Sequence, residues 1–374
     1  MSNRFHLGTR KGLFTFERSS TGKWAPTREH FLGDPVPMLF PDARDGNLYV
    51  VLEHGHFGTK LHRSEDEGAN WKELDPPVYP PKPDDVPETI DPFRNTPVPW
   101  SLEKIWALES AGDDQPGALW CGTLPGGLFR SEDRGESWEM VRSLWDRPER
   151  AKWAGGGYDV PGIHSICVHP NDSKDVIVAI SCGGVWRTRD GGETWKQCAH
   201  GMFYDFNPEE REMDPDSQDP HRVVRCEAAP DQLWSQHHCG IFRSTDDCTS
   251  WQYVENVQPA GFGFAVAVHP KDPLTAWFVP ARKDEMRYPV DGKFLVNRTR
   301  DGGKTFVNCS NGLPEGKAYD LVYRHALEVD ESGERLVMGS TTGSVWISED
   351  GGDSWEILGS HFPPVYCARF DRRQ

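Results

Sequence analysis

The sequence predicts an all-β fold, a seven-bladed β-propeller of four-stranded antiparallel blades, on three observations. A turn motif returns six times along the 374 residues. A degenerate seventh unit opens the chain, and the last segment reads as the single strand that this first unit lacks. Pairing that segment with the start of the chain closes the ring and removes the exposed sheet edge.

The repeat is found by self-comparison. Arg63-Ser-Glu-Asp-Glu-Gly-Ala-Asn-Trp71 returns as Arg130-Ser-Glu-Asp-Arg-Gly-Glu-Ser-Trp138 and Arg187-Thr-Arg-Asp-Gly-Gly-Glu-Thr-Trp195. Arg243-Ser-Thr-Asp-Asp-Cys-Thr-Ser-Trp251, Arg298-Thr-Arg-Asp-Gly-Gly-Lys-Thr-Phe306 and Ile347-Ser-Glu-Asp-Gly-Gly-Asp-Ser-Trp355 follow. The aspartates Asp66, Asp133, Asp190, Asp246, Asp301 and Asp350 are 67, 57, 56, 55 and 49 residues apart, the spacing of propeller blades. In each copy the carboxylate accepts backbone N–H groups within a tight turn, glycine supplies a positive φ, and hydroxyls close the turn. The aromatic residue opens the next strand and packs into the core. Cys248 stands where glycine belongs, which predicts a distorted fourth turn.

A glycine turn between two apolar strands precedes each copy, as in Leu119-Trp-Cys-Gly-Thr-Leu-Pro-Gly-Gly-Leu-Phe129. Phe5-His-Leu-Gly-Thr-Arg-Lys-Gly-Leu-Phe14 repeats that pattern and runs on to Trp24 without the aspartate motif, which makes it the degenerate unit. A further strand comes before each later unit, such as Ile163-His-Ser-Ile-Cys-Val-His-Pro170. Pro364-Val-Tyr-Cys-Ala-Arg-Phe370 supplies the one missing from the first. The expectation is a single domain over residues 1–374.

The six turns match the Asp-box, or BNR repeat. The chain thereby resembles bacterial BNR-repeat propellers of the sialidase-like and glycosyl-hydrolase-like kind. More loosely, it is similar to sortilin-type and photosystem assembly-factor propellers. The resemblance implies that the six aspartates are structural and lie away from the active face. True sialidases have six blades and an early Phe/Tyr-Arg-Ile-Pro motif. This sequence has seven units and no such motif, so the resemblance does not extend to sialidase activity.

Composition excludes several function classes. A net charge of −17 opposes nucleic acid and anionic membranes as partners. No apolar run approaches a bilayer span, and the first residues read as a strand rather than a secretory leader. Nine cysteines without a Cys-x-x-Cys pair read as buried free thiols in a reducing compartment, so a cytoplasmic location is expected. Neither a nucleophile elbow nor a nucleotide-binding glycine loop is present.

If strands A to D run from channel to rim, the B–C and D–A loops share one face and the repeat turns occupy the other. Candidate chemistry therefore lies in the B–C turns, the long D–A connections and the near ends of the A strands. Asp159 and Asp320 are the acid/base candidates, since paired carboxylates can cleave a glycosidic bond. His164 is a proton carrier, and Tyr158 and Tyr319 orient substrate. Arg10 and Arg282, with Glu285 beside them, are the substrate-binding group, arginine being suited to clamp an anion. His54, His164, His237 and His238 come from different blades but one face, and their convergence would hold a divalent transition metal. The expectation is a hydrolase or lyase acting on a carbohydrate-like or small polar substrate, with metal assistance open. The alternative is a non-catalytic platform for a protein partner, to which the proline-rich stretch 76–100 is suited.

Overall fold

The computed structural model describes residues 1–372 and contains seven four-stranded antiparallel sheets in sequence around a ring. Blade 1 is built from Val365–Phe370, Arg4–Thr9, Gly12–Arg18 and Trp24–His30, in that order from A to D. The A strands of blades 2 to 7 are Met38–Pro41, Lys104–Ser110, Gly162–His169, Pro220–Arg225, Gly263–Val268 and Leu327–Val329. The C-terminal strand pairs antiparallel with the first, from Phe5 opposite Phe370 to Thr9 opposite Val365. The sequence expectation of seven blades and a closing C-terminal strand is met.

The central strands are buried on both faces because each blade is covered by its two neighbours. In blade 4, Val176 to Ile180 are all fully buried, and the run is accordingly apolar without alternation. Close approach at the inner ends selects glycine. A Cβ on Gly122 would lie 2.6 Å from Ile163 Cγ2 of the next blade, and one on Gly339 would lie 2.5 Å from Val365 Cγ1.

All six repeat turns have the same bonds. In the third, Thr188 Oγ1 donates to Asp190 Oδ1 and accepts from Gly192 N at 2.9 Å, while Asp190 accepts from Thr194 N at 2.9 Å. The fourth turn is not distorted by its cysteine. Cys248 takes a φ of 63° and donates its N–H to Ser244 Oγ at 3.1 Å, as glycine does elsewhere. The bonds, above all those from Asn70, Thr188 and Thr305, hold Asp66, Asp190 and Asp301 at a pKa of about 2.

In four of the five copies that open with arginine, that arginine latches one blade to the next, while Arg130 bonds Gln115 of its own blade. Arg63 Nη1 donates to Arg134 O at 2.9 Å, Arg243 Nη1 to Gly302 O at 3.2 Å and Arg298 Nη1 to Gly351 O at 2.7 Å. Arg187 reaches Asp247 O in the same way, and Arg28 of blade 1 reaches Glu67 O. Each acceptor follows the aspartate of the next blade's turn. Ser143 bridges blades 3 and 4 by donating to Gly192 O. The sixth motif has Ile347 in place of arginine, and there the latch runs backwards: Arg18 of blade 1 pairs with Glu349 at 2.7 Å.

Two outcomes follow for stability. The depressed aspartates stabilise the fold above their unfolded pKa near 3.8, and that contribution disappears as pH falls through about 2. The urea midpoint should therefore drop between about pH 4 and pH 2, and drop less steeply in the Asp66→Asn/Asp190→Asn/Asp301→Asn variant. Arg298→Met removes one of the two donors to Gly351 O, Trp277 Nε1 remaining at 2.9 Å, and should cost about 0.5–1.5 kcal/mol in urea unfolding.

Candidate functional site

The inner strands of blades 3 to 6 each break their ladder near the end facing the B–C loops. The register shifts between Ile105 and Ala107, Ile163 and Ser165, Pro220 and Arg222, and Gly263 and Val266. Such bulges re-aim side chains. Trp106, His164 and His221 occupy the skipped positions, and Phe264 lies within the fourth. His164 packs edge-on against Trp106 at 5.3 Å, and His221 stacks on Phe264 at 4.6 Å.

Two adjoining cavities of about 440 and 340 Å³ open on this face and share Gly157, Phe264, Arg287 and Arg324. Their walls come from the D–A connections (Phe93, Arg94, Gly155 to Tyr158, Tyr204, Phe206) and the B–C loops (Glu53, His238, Asp284, Arg287). Arg324, in the approach to the last inner strand, stands between the cavities. It is 6% exposed, and its guanidinium lies over the Trp106 ring at 4.8 Å and the Phe264 ring at 5.1 Å. Its Nε and Nη2 have no hydrogen-bond partner among the described residues. Burial pushes its pKa down to about 10, against the attraction of Asp219.

Asp219 immediately precedes the inner strand of blade 5 and is buried. Its Oδ1 accepts from Ser181 Oγ and Cys182 N, both at 3.2 Å. Its Oδ2 faces His221 Nε2 at 3.5 Å and His238 Nδ1 at 3.4 Å. Burial works against the Asp219 charge, but the two histidines hold its pKa well below the usual range. Burial lowers the pKa of His221 despite Asp219. At His238 burial also opposes the charge, yet Asp219 raises the net value.

The sequence-predicted residues divide between this site and its surroundings. His238 lies in the cluster, and Tyr158 lines the smaller cavity with Lys104 Nζ 4.8 Å from its ring. His164 is fully buried at the neck, with Nδ1 on Ser165 Oγ at 2.9 Å and Nε2 unpartnered among the described residues. Its pKa is driven well down by burial and then by Arg324 and Arg222. Asp159 is 95% exposed and pairs with Arg94 at 3.2 Å. Asp320 is tied to Ser340 Oγ at 2.7 Å and to Thr342. Tyr319 is 68% exposed, Arg282 donates to Tyr288 Oη at 3.2 Å, and Glu285 pairs with Lys283 at 3.0 Å. None of these, nor Arg10, lines either cavity. His54 faces Asp34 at 3.5 Å on the rim.

The four histidines expected to hold a metal do not come together. His237 is fully buried, with Nε2 3.1 Å from Asp219 N and Nδ1 3.1 Å from Cys239 N, and its neutral ring accepts from one of the two; burial takes its pKa to about 3. Sequence reasoning missed Asp219, His221, Arg287 and Arg324. The one available signal was the Asp219-Pro-His221 step that opens the strand.

Comparison with known proteins adds the following. Residues 126–291 match the family model Sortilin-Vps10, described as sortilin, neurotensin receptor 3. The probable oligoxyloglucan-reducing end-specific xyloglucanase of Neosartorya fischeri is 25% identical over 285 residues, covering 68% of this chain and 32% of that protein. A xyloglucanase of a Paenibacillus species is 23% identical over 231 residues, covering 55% and 21%. The chain thus spans a third or less of these relatives' length. Among solved structures, an ancestral GH74 enzyme superposes with a TM-score of 0.57 at 17% identity, over 86% of this chain and 38% of that one, which shows a shared fold.

The two adjacent histidines should separate on mutation. His237→Ala removes the acceptor of one backbone N–H and leaves a cavity, and should cost about 2–4 kcal/mol in urea unfolding. His238→Ala, at the cavity wall, should cost clearly less.

Proposed function

We propose that the protein is a hydrolase or lyase acting on a carbohydrate-like or similarly small polar substrate that carries an anionic group, bound at the channel mouth opposite the repeat turns. Arg324 carries this reading. A guanidinium buried without a hydrogen-bonding anion is costly to the fold, and it becomes favourable once a carboxylate or phosphate fills its free N–H positions. Arg287, paired with Asp284, and Arg94, paired with Asp159, line the same cavity. Asp219, His221 and His238 line that cavity too, as the groups able to move a proton or hold a ligand atom. Tyr158, 40% exposed, offers ring surface to the apolar side of a sugar and is backed edge-on by the buried Trp106, which in turn packs on His164. The likeness to proteins described as xyloglucanases supports the carbohydrate class. Nine free thiols fit the cytoplasm as the place of action.

A second reading, a platform for a protein partner, draws on apolar residues exposed on the same face. Phe57, Val78, Ile90, Phe93 and Phe206 are each more than 40% exposed.

One variant separates the two. Arg324→Met keeps the length of the side chain and removes its charge. In a thermal-shift screen of uronic acids, sugar phosphates and neutral sugars, the wild type should be stabilised by an anionic sugar. The variant should bind that sugar at least about tenfold more weakly while its own melting temperature holds or rises. Stabilisation by neutral sugars alone, or equal binding by the variant, would overturn the anionic reading. No response to any sugar would favour the protein partner.

A further inference from the structure

We infer that Asp219, His221 and His238 form a binding site for one divalent transition metal ion. One ligand atom from each residue lies within 4.8 Å of the other two. The Asp219 Oδ2 contacts, 3.5 Å to His221 Nε2 and 3.4 Å to His238 Nδ1, are too long for good N–H···O bonds. They match instead two donors sharing one ion: metal–ligand bonds of about 2.0–2.2 Å at ordinary coordination angles place the donor atoms roughly 3.0–3.5 Å apart.

The tautomer of His221 gives a second, independent indication. Its Nδ1 lies 2.6 Å from Gly263 O, a carbonyl that can only accept, so Nδ1 carries the proton. In the neutral ring Nε2 then points a lone pair at the Asp219 carboxylate. That contact is repulsive until a cation sits between the two. A backbone carbonyl on the far nitrogen is also the usual way in which a metal-bound histidine is oriented.

The surroundings complete the pattern. Ser181 Oγ and Cys182 N saturate Asp219 Oδ1 and leave Oδ2 toward the histidines. Three protein donors on one side and the 440 Å³ cavity on the other make an open site, the arrangement of catalytic centres. Two imidazoles and one carboxylate suit zinc, manganese, iron, cobalt or nickel over calcium or magnesium. Arg324, which lines the same cavity, would hold an anionic ligand beside such an ion.

The test uses the metal alone, so its outcome does not depend on the substrate reading. Chelator-stripped protein is titrated with Co²⁺, following visible absorption and heat. Wild type is compared with His238→Gln, with Asp219→Asn, which is nearly isosteric and removes the charge, and with His361→Ala as an exposed-histidine control. Circular dichroism and the melting temperature of the metal-free variants establish that they fold. The expected result is about one equivalent of Co²⁺ with ligand-field bands in wild type and His361→Ala. Affinity should fall by more than about 100-fold in His238→Gln and Asp219→Asn, beyond the loss of an outer-shell contact. Arg324→Met should retain the ion even where it loses the anionic sugar. Absence of ligand-field bands in wild type, or equal binding by folded His238→Gln and Asp219→Asn, would overturn the assignment and place any bound ion on the acidic surface.

Discussion

Ring closure is the constraint from which the rest of the structure follows. One strand of six residues, Val365–Phe370, joins the two ends of the chain in blade 1 and fixes seven sheets about a common axis. Radial packing crowds the inner strands, and Gly122 and Gly339 are glycine because no Cβ fits there. It also leaves the near ends of those strands converging on a narrow neck. There the ladders of four adjacent blades give way to bulges, and Trp106, His164, His221 and Phe264 turn toward the mouth.

The two faces of the ring therefore divide the work of the charged groups. On the repeat face each motif aspartate is satisfied by its own turn, and Arg63, Arg187, Arg243 and Arg298 donate to the neighbouring blade. At the mouth the balance is unsettled. Arg324 is buried between aromatic rings with part of its guanidinium unsatisfied, and Asp219 meets two imidazoles at distances too long for hydrogen bonds. Buried polar groups left incomplete are the exception in folded proteins. What marks this end as functional is that a buried guanidinium with no carboxylate at ion-pair distance among the described residues lines the same cavity as an aspartate facing two imidazoles.

Legibility in the sequence followed the same division. The blades could be read because the turn chemistry is local and recurs, down to the degenerate first unit and the closing strand. The face could be read from strand order alone, and His238 and Tyr158 with it. The centre of the site could not. His221 sits at a bulge beside Arg222, where the two-residue alternation that assigns strand faces fails. Arg324 lies in the irregular approach to a short strand, where no period applies. Asp320 and Arg282 have the right chemistry on the right face, but nearby hydroxyls satisfy the first and Tyr288 engages the second. The cysteine in the fourth turn shows the converse: an odd residue need not disturb a turn whose bonds are made by its neighbours.

The latch between blades also has a consequence for how such a ring can be copied or recombined. The arginine that holds a turn belongs to the preceding blade, and its acceptor follows the next aspartate. A segment duplicated along the limits of one sheet would bring a turn without its holder and a holder without its turn. A segment cut from the middle of one blade to the middle of the next would bring both. The heritable module of this fold is thus the seam rather than the sheet, and a sheet is what two successive seams enclose.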